Sequence, residues 1–284
     1  MRFVLSLWLL ASALMLGTAA SFAAPPQRVV SLGGPLTEIV YALGGGAQLV
    51  AVDQSSIYPT AAARLPKVGY YRQFSLEGVV AMKPDLVLAS DQAGPPEAIE
   101  QLRRLGLRVV VLPAKADLES LQRRIYGVAG ALQLNQDGKT LVSRLQRELA
   151  AVPKLAGQPR ALVLISRTGQ PEGAGKDTAA DATLRLAGYR NVLAQQQGYK
   201  PLSAEAIAAL KPEVIITSSM SLQSLGGLDK LLALPGLAHT SAAKQRKVLV
   251  LDDLLLLGFG PRLPEAIRAL RQPALPAATA VSAP

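Results

Sequence analysis

Cysteine is absent from the 284 residues of this chain, and histidine occurs only once. Without cysteine there are no structural disulfides, no thiolate metal sites and no lipid attached to an N-terminal cysteine. One histidine makes a zinc or manganese site a poor candidate, because such sites gather several histidines and acids. Two enzyme loops are also missing, the phosphate-binding GxxxxGK followed by Ser or Thr and the GxSxG nucleophile elbow. An exported enzyme is therefore a remote alternative, and no catalytic cofactor is expected.

Long runs of lysine and arginine are missing as well, although the chain has a net charge of +10. Without a clustered basic patch, nucleic acid is a poor candidate partner. Removal of residues 1–23 takes away one arginine and no acid, which lowers the net charge to +9. A basic protein attracts anionic ligands at long range.

The first residues have the pattern of an export signal. A positive charge at Arg2 precedes an apolar run over 3–16, and small residues at Ser21 and Ala23 fit a signal-peptidase site. The apolar run has about 14 residues, fewer than the roughly 20 that a membrane-spanning helix needs, so a retained anchor is the weaker interpretation. We expect residues 1–23 to be a cleaved signal peptide and the mature chain to be a soluble protein of the periplasm.

Short β-branched runs alternate with helical patterns along the chain. This alternation predicts parallel sheets covered by helices on both faces. The predicted strands are 28–32, 49–52, 86–89 and 109–112 in the first half, and 161–165, 214–217 and 248–251 in the second. The predicted fold class is α/β, with two doubly wound lobes around central parallel sheets.

One segment occurs twice, as FSLEGVVAMKPDLVLAS at 74–90 and as PLSAEAIAALKPEVIITS at 201–218. In both copies a serine, Ser75 or Ser203, is placed to cap a helix, and a glutamate follows two residues later. Both helices are predicted to end at Lys-Pro, and a buried strand follows. This repeat indicates two lobes of similar construction.

Two helical patterns, 117–132 and 137–152, lie between the halves, and the second is long enough to connect two lobes rigidly. The predicted organisation is a signal peptide at 1–23, a first lobe at 24–136, an inter-lobe backbone helix at 137–153, a second lobe at 154–272 and a flexible tail at 273–284.

Four segments resemble the class III, helical-backbone periplasmic binding proteins, and in particular their haem-binding branch. They are RVVSLGGPLTEIVYALG at 28–44, VGYYRQFSLEGVVAMKPDLVLAS at 68–90, GAGKDTAADATLRLAG at 173–188 and LDDLLLLGFGPRLPEAI at 251–267. The resemblance implies a monomeric protein that binds haem between two lobes. It also implies delivery of the haem to an ABC permease dimer with its ATPase in the inner membrane.

The same resemblance implies which residues hold the haem. Tyr70, directly after Gly69, is expected to ligate the ferric iron, with Tyr71 as the alternative. Tyrosinate is a hard oxygen donor found on haem iron, and a neighbouring guanidinium favours its ionised form. Arg72 is therefore expected to assist the ligand, and Arg262 is a weaker candidate for pairing with the propionates.

Two further expectations concern the repeat and the second lobe. Glu77 and Glu205 are expected to dock into the two permease subunits, although each also suits the start of a helix by itself. Some relatives hold a second haem through a second-lobe histidine, but 166–169 contains none, and His239 is expected to be a surface residue. One haem per chain is therefore predicted. Cobalamin or a ferric siderophore is the alternative ligand.

Overall fold

The computed structural model describes residues 25–153, 155 and 157–272. The predicted signal peptide and the predicted tail at 273–284 lie outside the described residues. None of the helices in the described part has both the length and the apolar character needed to cross a membrane.

A four-stranded parallel sheet forms the centre of the first lobe, a name used below for residues 25–132. Its strand order is β2-β1-β5-β6, and β1 pairs with both β2 and β5. The β-branched and leucine residues of β1, β2 and β5 are almost entirely buried, as expected for a sheet covered on both faces. A two-stranded hairpin, β3 and β4, leaves this lobe between β2 and β5. The strands are β1 Val29–Leu32, β2 Leu49–Val52, β3 Gly69–Tyr70, β4 Gln73–Phe74, β5 Leu86–Ser90 and β6 Arg108–Leu112.

A second sheet forms the centre of the second lobe, a name used below for residues 160–271. Its strand order is β10-β8-β7-β11-β12, and β9 pairs with the start of β7. The pairs β7–β11, β11–β12 and β7–β9 are parallel, as predicted, and the pairs β7–β8 and β8–β10 are antiparallel and extend the sheet at one edge. The chain reverses after β7 through Gly169, whose φ of 82° suits a tight turn. The strands are β7 Arg160–Ile165, β8 Glu172–Ala174, β9 Arg190–Asn191, β10 Tyr199–Pro201, β11 Val214–Ser218 and β12 Val248–Leu251.

Helices cover both sheets and connect them. The helices up to the end of the connecting pair are α1 Gly34–Ala42, α2 Thr60–Ala63, α3 Leu76–Ala81, α4 Pro96–Arg104, α5 Leu118–Leu132 and α6 Asn135–Ala151. Those of the second lobe are α7 Ala179–Leu186, α8 Ala204–Leu210, α9 Ser219–Ser224, α10 Leu228–Leu232, α11 Ser241–Lys244, α12 Asp253–Leu257 and α13 Leu263–Arg271. Every strand and helix named in the sequence analysis is present, apart from small shifts at the ends. The short elements β3, β4, β8, β9, β10, α2, α9, α11 and α12 were not predicted.

The helix pair α5 and α6 connects the two lobes. The helices pack closely, and a Cβ on Gly138 would lie 2.6 Å from the Cβ of Ala129. Farther along α6, Glu148 forms an exposed salt bridge with Arg268 of α13, with Nη2 and Oε2 3.4 Å apart. One hydrophobic cluster contains Leu121 of the first lobe, Leu145 of α6 and Ile267 of the second lobe. The connection is therefore built into a shared core.

The repeat seen in the sequence folds into equivalent structures in the two lobes. Ser75 Oγ accepts a hydrogen bond from Gly78 N at 2.9 Å, and Ser203 Oγ accepts one from Ala206 N at 3.2 Å. Both predicted N-caps are confirmed. The Lys-Pro endings are confirmed too, because the two lysines have φ values of 47° and 43°, which end the helical geometry.

An arginine at the start of each central strand extends this equivalence. Arg28, just before β1, donates to the carbonyl oxygens at the end of α3, and Arg160 of β7 donates to Leu210 O at the end of α8. The carboxylates of Asp85 and Glu213 accept the backbone N–H groups of the same two arginines. Each helix therefore ends at the amino edge of its sheet and begins toward the carboxyl edge.

Candidate functional site

The tip of the β3–β4 hairpin presents Tyr71 and Arg72, with Tyr70 beside them as the last residue of β3. Tyr70 pairs with Gln73, so the two residues between them form the tight turn. Gly69 starts the hairpin with a φ of 98°, and a Cβ there would lie 3.1 Å from Gln73 O. Only glycine fits this position without strain, which explains the Gly-Tyr order that the sequence analysis used.

A buried aspartate anchors the hairpin to the ends of the first two strands. Asp53 is fully buried, and its Oδ2 accepts from Tyr71 N at 3.3 Å and from Ser55 N at 2.8 Å. Its Oδ1 accepts from Gly33 N at 3.0 Å and from the Ser56 hydroxyl at 2.9 Å. One carboxylate thus connects the carboxyl ends of β1 and β2 to the tyrosine pair, so the hairpin has a defined position.

The two neighbouring tyrosines have different environments. Their rings meet edge to face with centroids 4.7 Å apart. The ring of Tyr71 packs against the hydrophobic cluster of the first lobe that contains Val30 and Phe74. Burial, with a further contribution from Tyr70, raises the pKa of Tyr71 well above its usual range. Ionisation of Tyr71 is therefore disfavoured.

Arg72 is exposed and lies close to this pair. Its guanidinium carbon is 5.2 Å from the centroid of the Tyr71 ring, within the range of a cation–π contact. Its Nη2 donates to Gln92 Oε1, in the turn after β5. Arg72 also lowers the pKa of Tyr71, against the larger effect of burial. The guanidinium is thus next to the Tyr71 ring, whose edge-to-face partner is Tyr70.

Two second-lobe residues that the sequence analysis did not select, Tyr199 and Arg167, are near each other, and Tyr199 is also near Arg72. Tyr199 of β10 is partly buried, and burial raises the pKa of its phenol. Arg167, in the turn after β7, and Arg72 of the first lobe both act in the opposite direction on that pKa. The Tyr70–Arg72 hairpin and Tyr199, which belong to different lobes, are therefore near each other.

The sequence contains a pattern that could have identified Tyr199. Gly69-Tyr70 stands a few residues before Ser75, and Gly198-Tyr199 stands a few residues before Ser203. The repeat therefore begins earlier than the two segments compared above. The two glycines share a positive φ, 98° for Gly69 and 72° for Gly198.

Arg262 has partners that the sequence did not indicate. It lies at the start of α13, and its Nε donates to Glu38 Oε1 of α1 at 2.7 Å. Its Nη2 donates to the same oxygen and to Asp252 Oδ1, the latter at 3.1 Å. Its guanidinium carbon lies 3.6 Å from the centroid of the Tyr58 ring. The propionate role stays a prediction, and in this structure the guanidinium joins the two lobes.

Glu77 and Glu205 are exposed in the first turns of α3 and α8. Among the described residues, neither carboxylate forms an ion pair. Backbone and Ser203 hydrogen bonds lower the pKa of Glu205 below its usual value. Because α3 and α8 run from the carboxyl edge of their sheets toward the amino edge, both glutamates lie toward the same edge as the tyrosines.

Other features do not compete with this site. His239 is exposed, as expected, and the described residues contain no group of three or more histidines and acids placed to hold a metal ion. A cavity of about 480 Å³ lies elsewhere in the first lobe, between α4 and the edge strand β6, and is lined by Glu97, Arg104 and Val111 among others. It contains none of the residues predicted to bind the ligand.

Comparison with known proteins gives matches that span both lobes. A family model described as periplasmic binding protein matches residues 29–255. The solved structure of the periplasmic haem-binding protein BhuT in complex with two haems is 44% identical, with a TM-score of 0.81, over 86% of this chain and 96% of that chain. A periplasmic haem-binding protein from Pseudomonas aeruginosa is 40% identical, with a TM-score of 0.79, over 89% of this chain and 94% of that chain.

A curated relative has a different ligand. The vitamin B12-binding protein of Vibrio vulnificus (strain YJ016) is 30% identical over 224 residues, which are 76% of this chain and 80% of that protein. The haem-binding structures are therefore more similar to this chain than this vitamin B12-binding protein is.

Proposed function

The chain belongs to the periplasmic binding protein family, and from this premise we propose that it binds haem between its two lobes and delivers it to an ABC importer of the inner membrane. The observation that carries the proposal is the Tyr70–Arg72 hairpin tip, with Arg72 near Tyr199 of the second lobe. Phenol, guanidinium and aromatic surface are the groups that an anionic ferric macrocycle requires.

Tyr70 is the proposed iron ligand. A phenol must lose its proton to become a strong ligand for ferric iron, and iron itself favours that loss. Tyr71 is the poorer candidate because its ring packs on the core and burial disfavours its ionised form. Tyr70 is not part of that core packing, and Arg72 follows it by two positions in the sequence. The proposed division is that Tyr70 ligates and Tyr71 supports it by edge-to-face contact.

Titration of the purified protein with hemin tests both the ligand and the residue. We expect the phenolate-to-iron charge-transfer band of high-spin ferric haem. Tyr70→Phe removes only the hydroxyl and should abolish this band, whereas Tyr71→Phe, the matched control, should retain it. Loss of the band in Tyr71→Phe alone would identify Tyr71 as the ligand. Binding of cyanocobalamin or a ferric siderophore, with no hemin spectrum, would support the alternative ligands.

Glu77 and Glu205 are the proposed contacts with the two permease subunits. The argument is their equivalence, since each follows a serine cap by two residues and lies toward the carboxyl edge of its own sheet. An attraction to the helix dipole accounts for one such acid but not for a matched pair. Unpaired exposed carboxylates on both sides of the ligand site suit arginines on a two-subunit partner.

Uptake into vesicles that contain the cognate permease and ATPase tests this docking. The double variant Glu77→Ala, Glu205→Ala should bind hemin normally but fail to support uptake. Loss of one partner from a buried interfacial pair costs about 2–5 kcal/mol. The control is Glu97→Ala with Glu119→Ala, which removes two exposed first-turn acids of other helices. Normal uptake by the first double variant would leave both glutamates as helix-start acids.

Export to the periplasm completes the proposal. Residues 1–23 would act as the signal peptide, with cleavage after Ala23, and the mature protein would be monomeric. Mass spectrometry of the protein recovered from a periplasmic extract measures this directly. A mass that retains residues 1–23 would contradict it.

A further inference from the structure

Tyr199 occupies in the second lobe the position that Tyr70 occupies in the first. Each tyrosine follows a glycine of positive φ and lies in a strand of two or three residues. Each also shortly precedes a serine-capped helix. The two halves of the chain therefore carry one tyrosine each at equivalent points of the repeat.

The hydroxyl group of Tyr199 has a hydrogen-bonding partner on α7. Burial raises the pKa of Tyr199, and hydrogen bonding with Thr178 acts against that rise. Thr178 is itself fixed as the cap of α7, where its Oγ1 accepts from Asp181 N at 3.1 Å and donates to Gly175 O at 2.8 Å. The ring of Tyr199 packs on the hydrophobic cluster that connects the lobes. Tyr199 thus has a neutral, engaged hydroxyl and a rigid ring.

Arg167 is exposed in the turn that follows β7, near enough to Tyr199 to lower the pKa of its phenol. The turn is fixed to α9, because Ser224 Oγ accepts from Gly169 N at 3.1 Å and lies 3.2 Å from Ser166 Oγ. The guanidinium is therefore carried on a positioned backbone. With Arg72 on the first lobe, it gives two cations around one phenol.

We propose that Tyr199 and Arg167 form the second-lobe half of the ligand site. The Tyr199 ring stacks on the face of a planar macrocycle opposite Tyr70, and the Arg167 guanidinium pairs with a carboxylate substituent. Aromatic faces stack with an offset, and guanidinium binds carboxylate through two parallel hydrogen bonds. This inference rests on the proposed function and deepens it, since it assigns ring recognition to one residue and carboxylate recognition to another.

Hemin and hemin dimethyl ester, which lacks free carboxylates, separate the two contributions. Arg167→Ala should weaken hemin binding by roughly tenfold, equivalent to about 1.4 kcal/mol, and leave ester binding unchanged. The matched control is Arg190→Ala, because Arg190 is exposed at the opposite, amino edge of the second sheet. Tyr199→Phe keeps the ring and should bind both compounds nearly as well as the wild type. Tyr199→Leu keeps apolar volume but not the ring, and should weaken both.

The iron spectrum distinguishes this inference from the proposed function. In all second-lobe variants the phenolate band should persist, because Tyr70 is unchanged. Equal affinity of wild type and Arg167→Ala for hemin, or full affinity of Tyr199→Leu, would overturn the inference while the proposed function stands. Loss of the phenolate band in Tyr199→Phe would also overturn it, because the Tyr199 oxygen would then be an iron ligand. Failure of the wild type to bind hemin would overturn both.

Discussion

Removal of the Arg262 side chain should strongly destabilise the folded protein. Arg262 is the partner of Glu38, whose side chain is only 2% exposed, and the pair joins α1 of the first lobe to α13 of the second. The lobes are in close contact here, because a Cβ on Gly260 would lie 2.4 Å from Glu38 Oε2.

The size of the effect follows from burial. Loss of one partner from a buried ion pair costs about 3–5 kcal/mol at a pH where the remaining group is ionised, because its charge is then without compensation. For a chain of this size, each kcal/mol lowers the Tm by roughly 2–4 °C, so the expected decrease is about 6–20 °C. Arg246→Ala is the control, since its salt bridge to Asp229 is exposed by 46% and 86% on the two side chains. Exposed pairs of this kind contribute about 0–1 kcal/mol.

The stability that Arg262→Ala loses should depend on pH. Burial raises the pKa of Glu38 from its ordinary 4.5 to about 7, while Arg262 acts in the opposite direction. Without Arg262 the pKa rises further, so the folded variant holds a proton that the unfolded chain releases. Stability from a raised pKa is present below pH 4.5 and is lost as the pH rises through the folded value. The cost of Arg262→Ala should therefore be larger at pH 8 than at pH 5.

Thermal unfolding followed by circular dichroism at the two pH values measures these effects. The double variant Glu38→Gln, Arg262→Ala removes the carboxyl group and should show no such pH dependence. A Tm decrease below about 2 °C for Arg262→Ala would refute the argument from burial. An equal decrease at pH 5 and pH 8 would refute the assignment to the Glu38 carboxyl.

Three further predictions concern the hairpin and the ligand. Gly69→Ala forces a side chain into the left-handed region at a cost of roughly 1–2 kcal/mol and places it against Gln73 O, so it should weaken the phenolate band in hemin titrations. The control is Gly106→Ala, at a φ of 81° with nothing within 4 Å of its Cβ, which should have the same backbone strain but keep the band. Asp53→Ala leaves buried N–H groups without acceptors, so the free energy of unfolding measured in urea should fall by about 1–3 kcal/mol. An unchanged urea midpoint would contradict the anchoring role of Asp53. Hemin titration should end at one haem per chain, since the second-lobe turn has no histidine and the Tyr199 hydroxyl is engaged by Thr178; an end point of two, as in the BhuT complex, would refute this.

The sequence by itself determined the fold class and much of the layout of the lobes. Alternating buried runs and helical patterns are local, so strands such as β1 and β5 and helices such as α5 could be predicted from spacing alone. The caps Ser75 and Ser203 were also predictable, because capping involves only residues within one turn. The antiparallel strands β8 and β10 were not, since they have three residues each and too few positions for a pattern.

Only the tertiary structure decided which side chains meet. The partner of Arg262 is 224 residues away at Glu38, and no local pattern connects two positions so far apart. The environments of Tyr70 and Tyr71 differ through packing against the first-lobe core, although the residues are adjacent in sequence. Tyr199 and Arg72 belong to different lobes, so their nearness depends on how the two halves pack. Long-range packing is set by the whole core, and that is why it could not be read from spacing.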